Sequence, residues 1–585
     1  MEAEDSWQEQ TTTTGPHAGK SWWAWGRVAE LRDLLQELPG TFGLSSELEQ
    51  LRPPAVREVG QLLPKPRIEL GSLPADVRSY CTDSDFERLF HSRGRDVTDV
   101  IASLHSKLGP IHDFVAYPSS EAEVAAMLHI CSQRRIAVVP FGGGSSVVGG
   151  VEPVSADDGF AGCVALDLAM MNQVLEFDET SQCVRVQAGI YGPALEDILR
   201  QRGLTLRYFP QSFEFSTVGG WIATKGGGHF ATGPTHIDDL VQSVRVVSPN
   251  GTTETRRVPA SGAGPSELRL YAGSEGTLGV ITEAWLKVRA RPQTRASATV
   301  VFQAEGDADA AFELGAHCVR DMSQTGLQPA NLRLVAGPEV VRSAGLAEPE
   351  RKLLATAAVL LIGFEGQPGA ASVINSQLSY LLAMAQQRGG LVVSQKLAEE
   401  VSQKQESTGE RSGIAGSWGK GFMRGGYHMS AACLFPSVLV NTLETACTWA
   451  SFPALHRAVL HAARTAMKRE CGVQGEVTCR FTHVYPDGPA PYYTFVVLGL
   501  ATTPGADSRV KMWQNIKRDV MQAIMEHGGT STHHHAVGKL HLPQYRAERG
   551  ALFGPTLSAM KAAHDSAGIM NPRLLEPSIR VPSKM

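Results

Sequence analysis

The chain has 585 residues, a net charge of −5, 43% apolar and 19% charged residues, a composition that predicts a soluble globular enzyme of more than one domain. That charge excludes an electrostatic case for nucleic acid or an acidic membrane surface as partner. Nine cysteines without a C-x-x-C pair predict reduced thiols, with neither a disulfide framework nor a zinc ribbon, and the longest apolar runs fall short of the roughly 20 residues a membrane helix needs.

Residues 1–20 are polar and acidic with a TTTTG run, which predicts a disordered tail and no secretory signal. Residues 21–109 predict a helical N-terminal region. In it the aromatic cluster Ser21–Gly26 docks the arm, Leu31, Leu34, Leu35 and Leu38 carry helical spacing, and a helix spans Phe86–Ser106. Residues 110–292 alternate strands (FVAYP, IAVVPF, CVALDL, CVRVQAG) with helices Ser120–Gln133 and Gly192–Arg202, then pass into glycine-rich loops. Residues 293–538 repeat the alternation with ATVVFQA, NLRLVA, AVLLIGFEG, VTCRFTHVY and YYTFVVLGL as strands, which predicts a sheet with antiparallel partners backed by helices. Residues 539–585 predict a helical tail with a GIMNPRLL motif and a terminal Ser583-Lys584-Met585, one residue from the Ser-Lys-Leu peroxisomal address.

Three glycine-rich stretches carry the chemistry. Strand Ile136–Phe141 runs into Gly142, Gly143, Gly144, Ser145 and Ser146, a turn whose backbone N–H groups can surround a phosphate with no Cβ in the way. It is not the dinucleotide fingerprint, because Val147 stands where the third glycine belongs. In Pro210–Gly228, Ser216 and Thr217 predict the cap of a helix whose Gly219–Gly220 start approaches a ligand. Gly273–Thr282 again permits close backbone approach through Gly276 and Gly279. One such stretch is a turn; three in one domain predict a long cofactor held mainly by main chain. Further on stands THHHAVG, Thr532–Gly538. Neighbours in an extended chain face opposite ways, so three successive histidines cannot all serve one metal, and no metal site is expected.

The motifs PFGGGSS, SFEFSTVGGWIAT and GSEGTLGVIT, in that order, resemble the flavin domain of the vanillyl-alcohol-oxidase-like flavoenzymes. The resemblance implies an α+β fold: a two-part FAD-binding domain, an α+β cap (substrate) domain with an antiparallel sheet, and helical N- and C-terminal extensions. It implies FAD, non-covalent because Phe141–Gly150 holds no histidine, with the diphosphate on Gly142–Ser146 beside Pro140 and Phe141. Pro210, Gln211, Ser212, Phe213, Glu214, Phe215, Ser216, Thr217, Gly219, Gly220, Ala223, Thr224, Lys225 and Gly226 would hold the rest. They would be joined by Ser274, Glu275, Gly276, Thr277, Leu278, Gly279 and Val280.

SWWAWG, NLRLVAG, FMRGGY, TCRFTHVYPDGPAPYYTF, the histidine run and GIMNPRLL with Asn571 and Arg573 are similar to segments of the alkyl-dihydroxyacetonephosphate synthases, the ether-lipid branch of that family. The likeness implies catalytic Tyr492, His533, His534, His535 and Arg333, and Arg424 as the phosphate ligand. It implies acyl-dihydroxyacetone phosphate and a fatty alcohol as substrates, exchanged without net redox change after a tyrosinate or histidine takes a proton from carbon. A peroxisome or related organelle is implied as the location, with an import receptor reading Ser583–Met585; peripheral membrane contact and a homodimer are compatible with it. Two alternatives stay open: an FAD oxidase or dehydrogenase of a hydroxyacid, phenol or sugar alcohol, and a non-catalytic flavin binder.

Overall fold

The computed structural model describes residues 7–42, 49–342, 346–400, 423–500 and 505–575. Helix Glu121–Arg134 begins where the Ser120 hydroxyl accepts the Glu123 amide and ends at Arg135, in the left-handed region at φ 55°. It links strand Phe114–Ala116 to strand Ile136–Phe141, and both pair in parallel with Gly162–Asp167. These strands are buried on both faces, so they read as continuous apolar runs. The glycine loop leaves the carboxyl end of Ile136–Phe141, the edge at which such sheets take ligands.

A five-stranded antiparallel sheet follows, in the order Val174–Asp178, Cys183–Gln187, Val280–Lys287, Val241–Ser248, Gly251–Glu254. Two of these strands, Val241–Ser248 and Val280–Lys287, occupy stretches where the sequence predicts only loops. The flanking glycines mask them, while their own β-branched residues build the ladder.

The second half is a seven-stranded antiparallel sheet. Its order is Leu391–Glu400, Thr294–Gln303, Ala357–Gly366, Asn331–Ala336, Glu476–Val484, Pro489–Val497, Leu439–Glu444. Helices Ala308–Ser323, Ala371–Gln387, Phe452–Cys471 and Ala506–Glu526 pack on it. The predicted strands are all present, and the outermost two, Leu391–Glu400 and Leu439–Glu444, are additions that the sequence pattern does not announce.

Two expectations are corrected and a third is qualified. Residues 7–20 are not a loose tail: Trp23 Nε1 donates to Gln10 Oε1 at 2.8 Å, Trp22 Nε1 donates to Pro54 O at 3.2 Å, and His17 is fully buried. Too few apolar groups for a core of their own, these residues fold by docking onto one. The single helix expected over Phe86–Ser106 is two, Asp85–His91 and Val97–Leu104. The break lets Arg95 N donate to Ser146 O at 2.6 Å, and a Cβ on Gly94 would stand 2.5 Å from that same oxygen. The helix Val218–Thr224 starts on the expected Thr217 cap, but with no spare amides there, because Val218, Gly219 and Gly220 donate to Ile190 O, Ala188 O and Thr217 Oγ1. Ser583–Met585 lie outside the described residues.

Candidate active site

One wall of the site is a row across the cap sheet. Arg480 pairs opposite Tyr492, and Tyr492 pairs opposite Glu444 on the edge strand, so the three side chains share a face. Val335 pairs opposite Arg480, and Arg333, two residues away, joins the same face. The Tyr492 ring lies 3.9 Å from the Arg480 guanidinium carbon, and its hydroxyl donates to Thr442 Oγ1 at 3.0 Å. Arg480 is held by Glu339 at 2.7 Å, and Arg333 donates to His229 O at 2.7 Å and Thr482 O at 3.3 Å.

The histidine loop lies over this row because two buried carboxylates hold it from opposite sides. Glu444 accepts the Thr532 hydroxyl at 2.5 Å and the amides of His533, His534 and His535 at 2.7, 3.4 and 3.2 Å. Glu275 accepts the amides of Val537 and Gly538, both at 2.9 Å. Gly538 is required at the end: its φ is +52°, and a Cβ there would meet Val148 O at 2.1 Å. His534 stacks on Tyr492 with centroids 5.9 Å apart, and His535 meets the same ring edge-on at 5.6 Å. His533 turns the other way, with Nε2 on the Tyr485 hydroxyl at 2.8 Å and its ring 4.6 Å from His236. Ring nitrogens of His483, His533 and His534 come within 4.8 Å of one another.

Burial sets the protonation states. His534 and His533 are pushed well below the ordinary imidazole value, with neighbouring imidazoles adding to the effect, and His535 is lowered as well. They are neutral at pH 7. Burial raises Tyr492, more than Arg480 lowers it, so the expected tyrosinate is corrected to a phenol. Burial works against the Glu444 charge, yet the imidazoles and the Thr532 hydroxyl hold its carboxyl below the usual value.

This wall closes one long cavity whose empty space, mouth included, is about 2150 Å³. Pro140–Ser146 line it, as do Pro210, Gln211, Ser212, Ser216, Thr217, Gly219, Gly220, Ala223, Thr224, Gly226, Glu275, Gly276, Gly279 and Val280. Across from them stand Arg333, Arg480, Tyr492, His534 and His535, while Asn571 lines the cavity beside the glycine loop. The three glycine segments do converge, and they leave no room for a Cβ: one on Gly143 would lie 1.6 Å from Phe215 O, and one on Gly276 2.8 Å from the Pro140 ring at Cγ.

Residues 112–256 match the FAD binding domain family, and residues 291–575 match the C-terminal domain of FAD linked oxidases. Together the two matches span most of the chain. It is similar to the alkyldihydroxyacetonephosphate synthase of Dictyostelium discoideum, 28% identical over 85% of this chain and 79% of that one. The alkyldihydroxyacetonephosphate synthase of Trypanosoma brucei brucei is 25% identical over 92% and 84%. A solved alkyldihydroxyacetonephosphate synthase structure shares the fold with a TM-score of 0.74, at 22% identity over 95% of this chain and 97% of that one.

FAD is the cofactor of this chain, and the glycine loop fits it. Among the described residues, none of the amides of Gly142–Ser146 finds a protein acceptor. Five consecutive donors facing a cavity demand an anion or water, and a diphosphate supplies the oxygens. Ser146 Oγ also shapes the loop by accepting the Gly150 amide at 3.0 Å. Asn571 Nδ2 ties the loop's exit to the third segment through Gly150 O at 3.1 Å and Glu275 O at 2.7 Å, and Arg573 pairs with Asp158 away from the cavity.

Several expected contacts lie elsewhere. Phe213 stacks on Trp221, Phe215 packs on Trp25 and Tyr427, Glu214 is exposed, and Lys225 reaches Asp238 at 3.5 Å. Thr277 Oγ1 donates to Ser274 O at 2.7 Å, and Leu278 is core; these serve the segment's own turn. Arg424 is exposed and does not line the cavity; its helix Gly425–Ala432 turns Gly426, Met429 and Ser430 there instead. Glu444, Thr442 and Arg480 escape a reading of the sequence, since Arg480 sits unremarked in an alternating strand and the other two in a six-residue edge strand.

Proposed function

We propose that this chain exchanges the acyl chain of acyl-dihydroxyacetone phosphate for a long-chain fatty alcohol, forming the ether bond of ether lipids and releasing a fatty acid. The observation that carries the reading is a neutral imidazole, His534, stacked on the buried phenol of Tyr492 at the wall that faces the flavin-binding loops. The carbon between the ketone and the ester oxygen of that substrate is acidic, and an imidazole kept uncharged by burial accepts its proton. Tyr492, kept protonated, offers its O–H to the oxygen that departs or arrives, and Arg480 and Arg333 place positive charge along the same face. FAD, when bound, supplies the electron sink for the carbon skeleton, so no external acceptor is consumed. The cavity suits anionic groups: Arg95, Arg333, Arg480 and Lys517 line it against Asp96 and Glu275, and burial raises Glu275 to about 7. The likeness to the two synthases supports the same substrates, and a peroxisome-like location belongs to the proposal.

The test is incorporation of radiolabelled fatty alcohol into acyl-dihydroxyacetone phosphate by the yellow holoenzyme under argon. Labelled ether lipid formed without an acceptor supports the exchange. Flavin bleached by a hydroxyacid and recoloured in air, with no labelled product, makes the protein an oxidase instead.

A further inference from the structure

Helix Ala506–Glu526 turns a buried stripe of Arg509, Trp513, Ile516, Val520 and Ile524 toward the rest of the cap. Lys517 falls beside that stripe, one turn after Trp513, and lines the cavity together with Trp513, Asn441, His535 and His541. Ammonium groups on inward helix faces are almost always paired. The other cations of the cavity follow that rule: Arg480 is on Glu339, Arg333 on two carbonyl oxygens, and Arg95 on Arg93 O and Gly94 O. Lys517 does not, for no hydrogen bond or ion pair to any described residue engages its Nζ.

The acids near it are already committed. Asp96 accepts the Thr98 amide at 2.9 Å and Asn441 Nδ2 at 3.3 Å, and Glu444 holds the histidine loop. Nor do the imidazoles take its place as anion ligands by charge, since burial keeps both His535 and His541 neutral, His541 at about 3. A cation without a partner, facing a cavity that must admit a phosphate monoester, is a binding group awaiting its anion.

We infer that the Lys517 ammonium is the cation that holds the phosphate head of the substrate, the task the sequence resemblance assigns to Arg424. The inference rests on the exchange reading above for the identity of the ligand, while the anion site rests on the cavity alone. It places the phosphate at the end of the cavity formed by helix Ala506–Glu526 and strand Leu439–Glu444, past His535 from Tyr492. Burial holds the Lys517 ammonium at about 8, with Asp96 and Glu444 opposing that shift, and His535 and His541 are the remaining titratable groups that face it. A phosphate must therefore bind the protonated lysine, and binding must weaken as pH rises through that value.

The experiment compares wild type, Lys517→Met and Lys517→Arg as FAD-loaded holoenzymes. Inorganic phosphate is titrated against the flavin absorbance, and kcat and KM are measured with acyl-dihydroxyacetone phosphate from pH 6.5 to 9.5. Removing a buried charge that pairs with a ligand costs about 30-fold or more in affinity. Lys517→Met should thus lose the phosphate response and raise KM by at least that factor with kcat within about threefold, the pattern of lost uniform binding. Wild-type kcat/KM should fall above about pH 8, whereas Lys517→Arg, charged throughout, should keep its value at high pH. An unchanged KM and phosphate response in Lys517→Met overturns the inference and leaves the exchange reading intact. Loss of the phosphate response in a protein that exchanges no label keeps the anion site and removes the exchange reading. Loss of FAD from Lys517→Met assigns the ammonium to the cofactor and overturns the inference. Should Lys517→Met fail to fold, the high-pH comparison of Lys517→Arg with wild type decides alone, and parallel profiles overturn it.

Discussion

Replacing Glu444 by Gln removes one charge and almost no volume, and it isolates what holds the histidine loop over Tyr492. The carboxylate accepts the Thr532 hydroxyl and the His533, His534 and His535 amides. A carboxamide presents one acceptor oxygen, and its NH₂ must then face at least one of those donors. At about 1.5–3 kcal/mol for a hydrogen bond to a charged group, loss of one bond loosens the loop by about 10- to 150-fold. The loop's far end stays tied through Glu275, so opening is local and the fold survives. Hydrogen exchange of residues 532–537 on the FAD-loaded protein measures this directly. Glu444→Gln should exchange there faster by that factor, keep its flavin spectrum, and lose turnover, because His534 no longer rests on the phenol. Exchange within about threefold of wild type would refute the account of how the loop is positioned. The acid dependence has a definite sign: the folded carboxyl lies below its ordinary value, so its contribution is whole above about pH 4.5 and fades as pH falls through the folded value.

Tyr492→Phe should cost about 1 kcal/mol of stability for the lost bond to Thr442, yet reduce turnover by about 10² or more with the flavin still bound; normal turnover would remove the phenol from the chemistry. Because His534 titrates well below the usual imidazole range, kcat/KM should stay level from pH 7.5 to 6.5, and a half-loss near pH 6.5 would show an ordinary exposed base instead. The N-terminal arm should be acid-labile. His17 is lowered to about 4 by burial, between Asp167 at 2.7 Å and Lys20 at 3.2 Å. The unfolded chain therefore binds the proton first, and stability is whole above about pH 6.5 and drops by about 3 kcal/mol on the way to pH 4. Limited proteolysis between residues 7 and 27 should appear over that window, and His17→Ala should be cut at neutral pH; an arm equally resistant in both proteins would contradict the docking.

What could be read directly from the chain is what acts through sequence neighbours. Three glycines and two serines after a strand dictate a concave run of amides whatever surrounds them, and that run lines the cavity with its amides lacking a protein acceptor among the described residues. The wall opposite depended on register. Arg480, Tyr492 and Glu444 lie on three strands, and only strand pairing makes them neighbours; a one-residue slip would send each to the other face. Helical spacing puts Lys517 near an apolar stripe but does not say whether its head reaches solvent, as lysines there commonly do, or a cavity closed by another strand. The order of the arm is hidden from the sequence for the same reason: residues 7–20 carry little apolar area themselves, and their order comes from surfaces more than a hundred residues away, such as Asp167. Local chemistry is written in adjacent residues, whereas a protonation state or a shared face is a property of burial and pairing, which exist only once the chain has closed on itself.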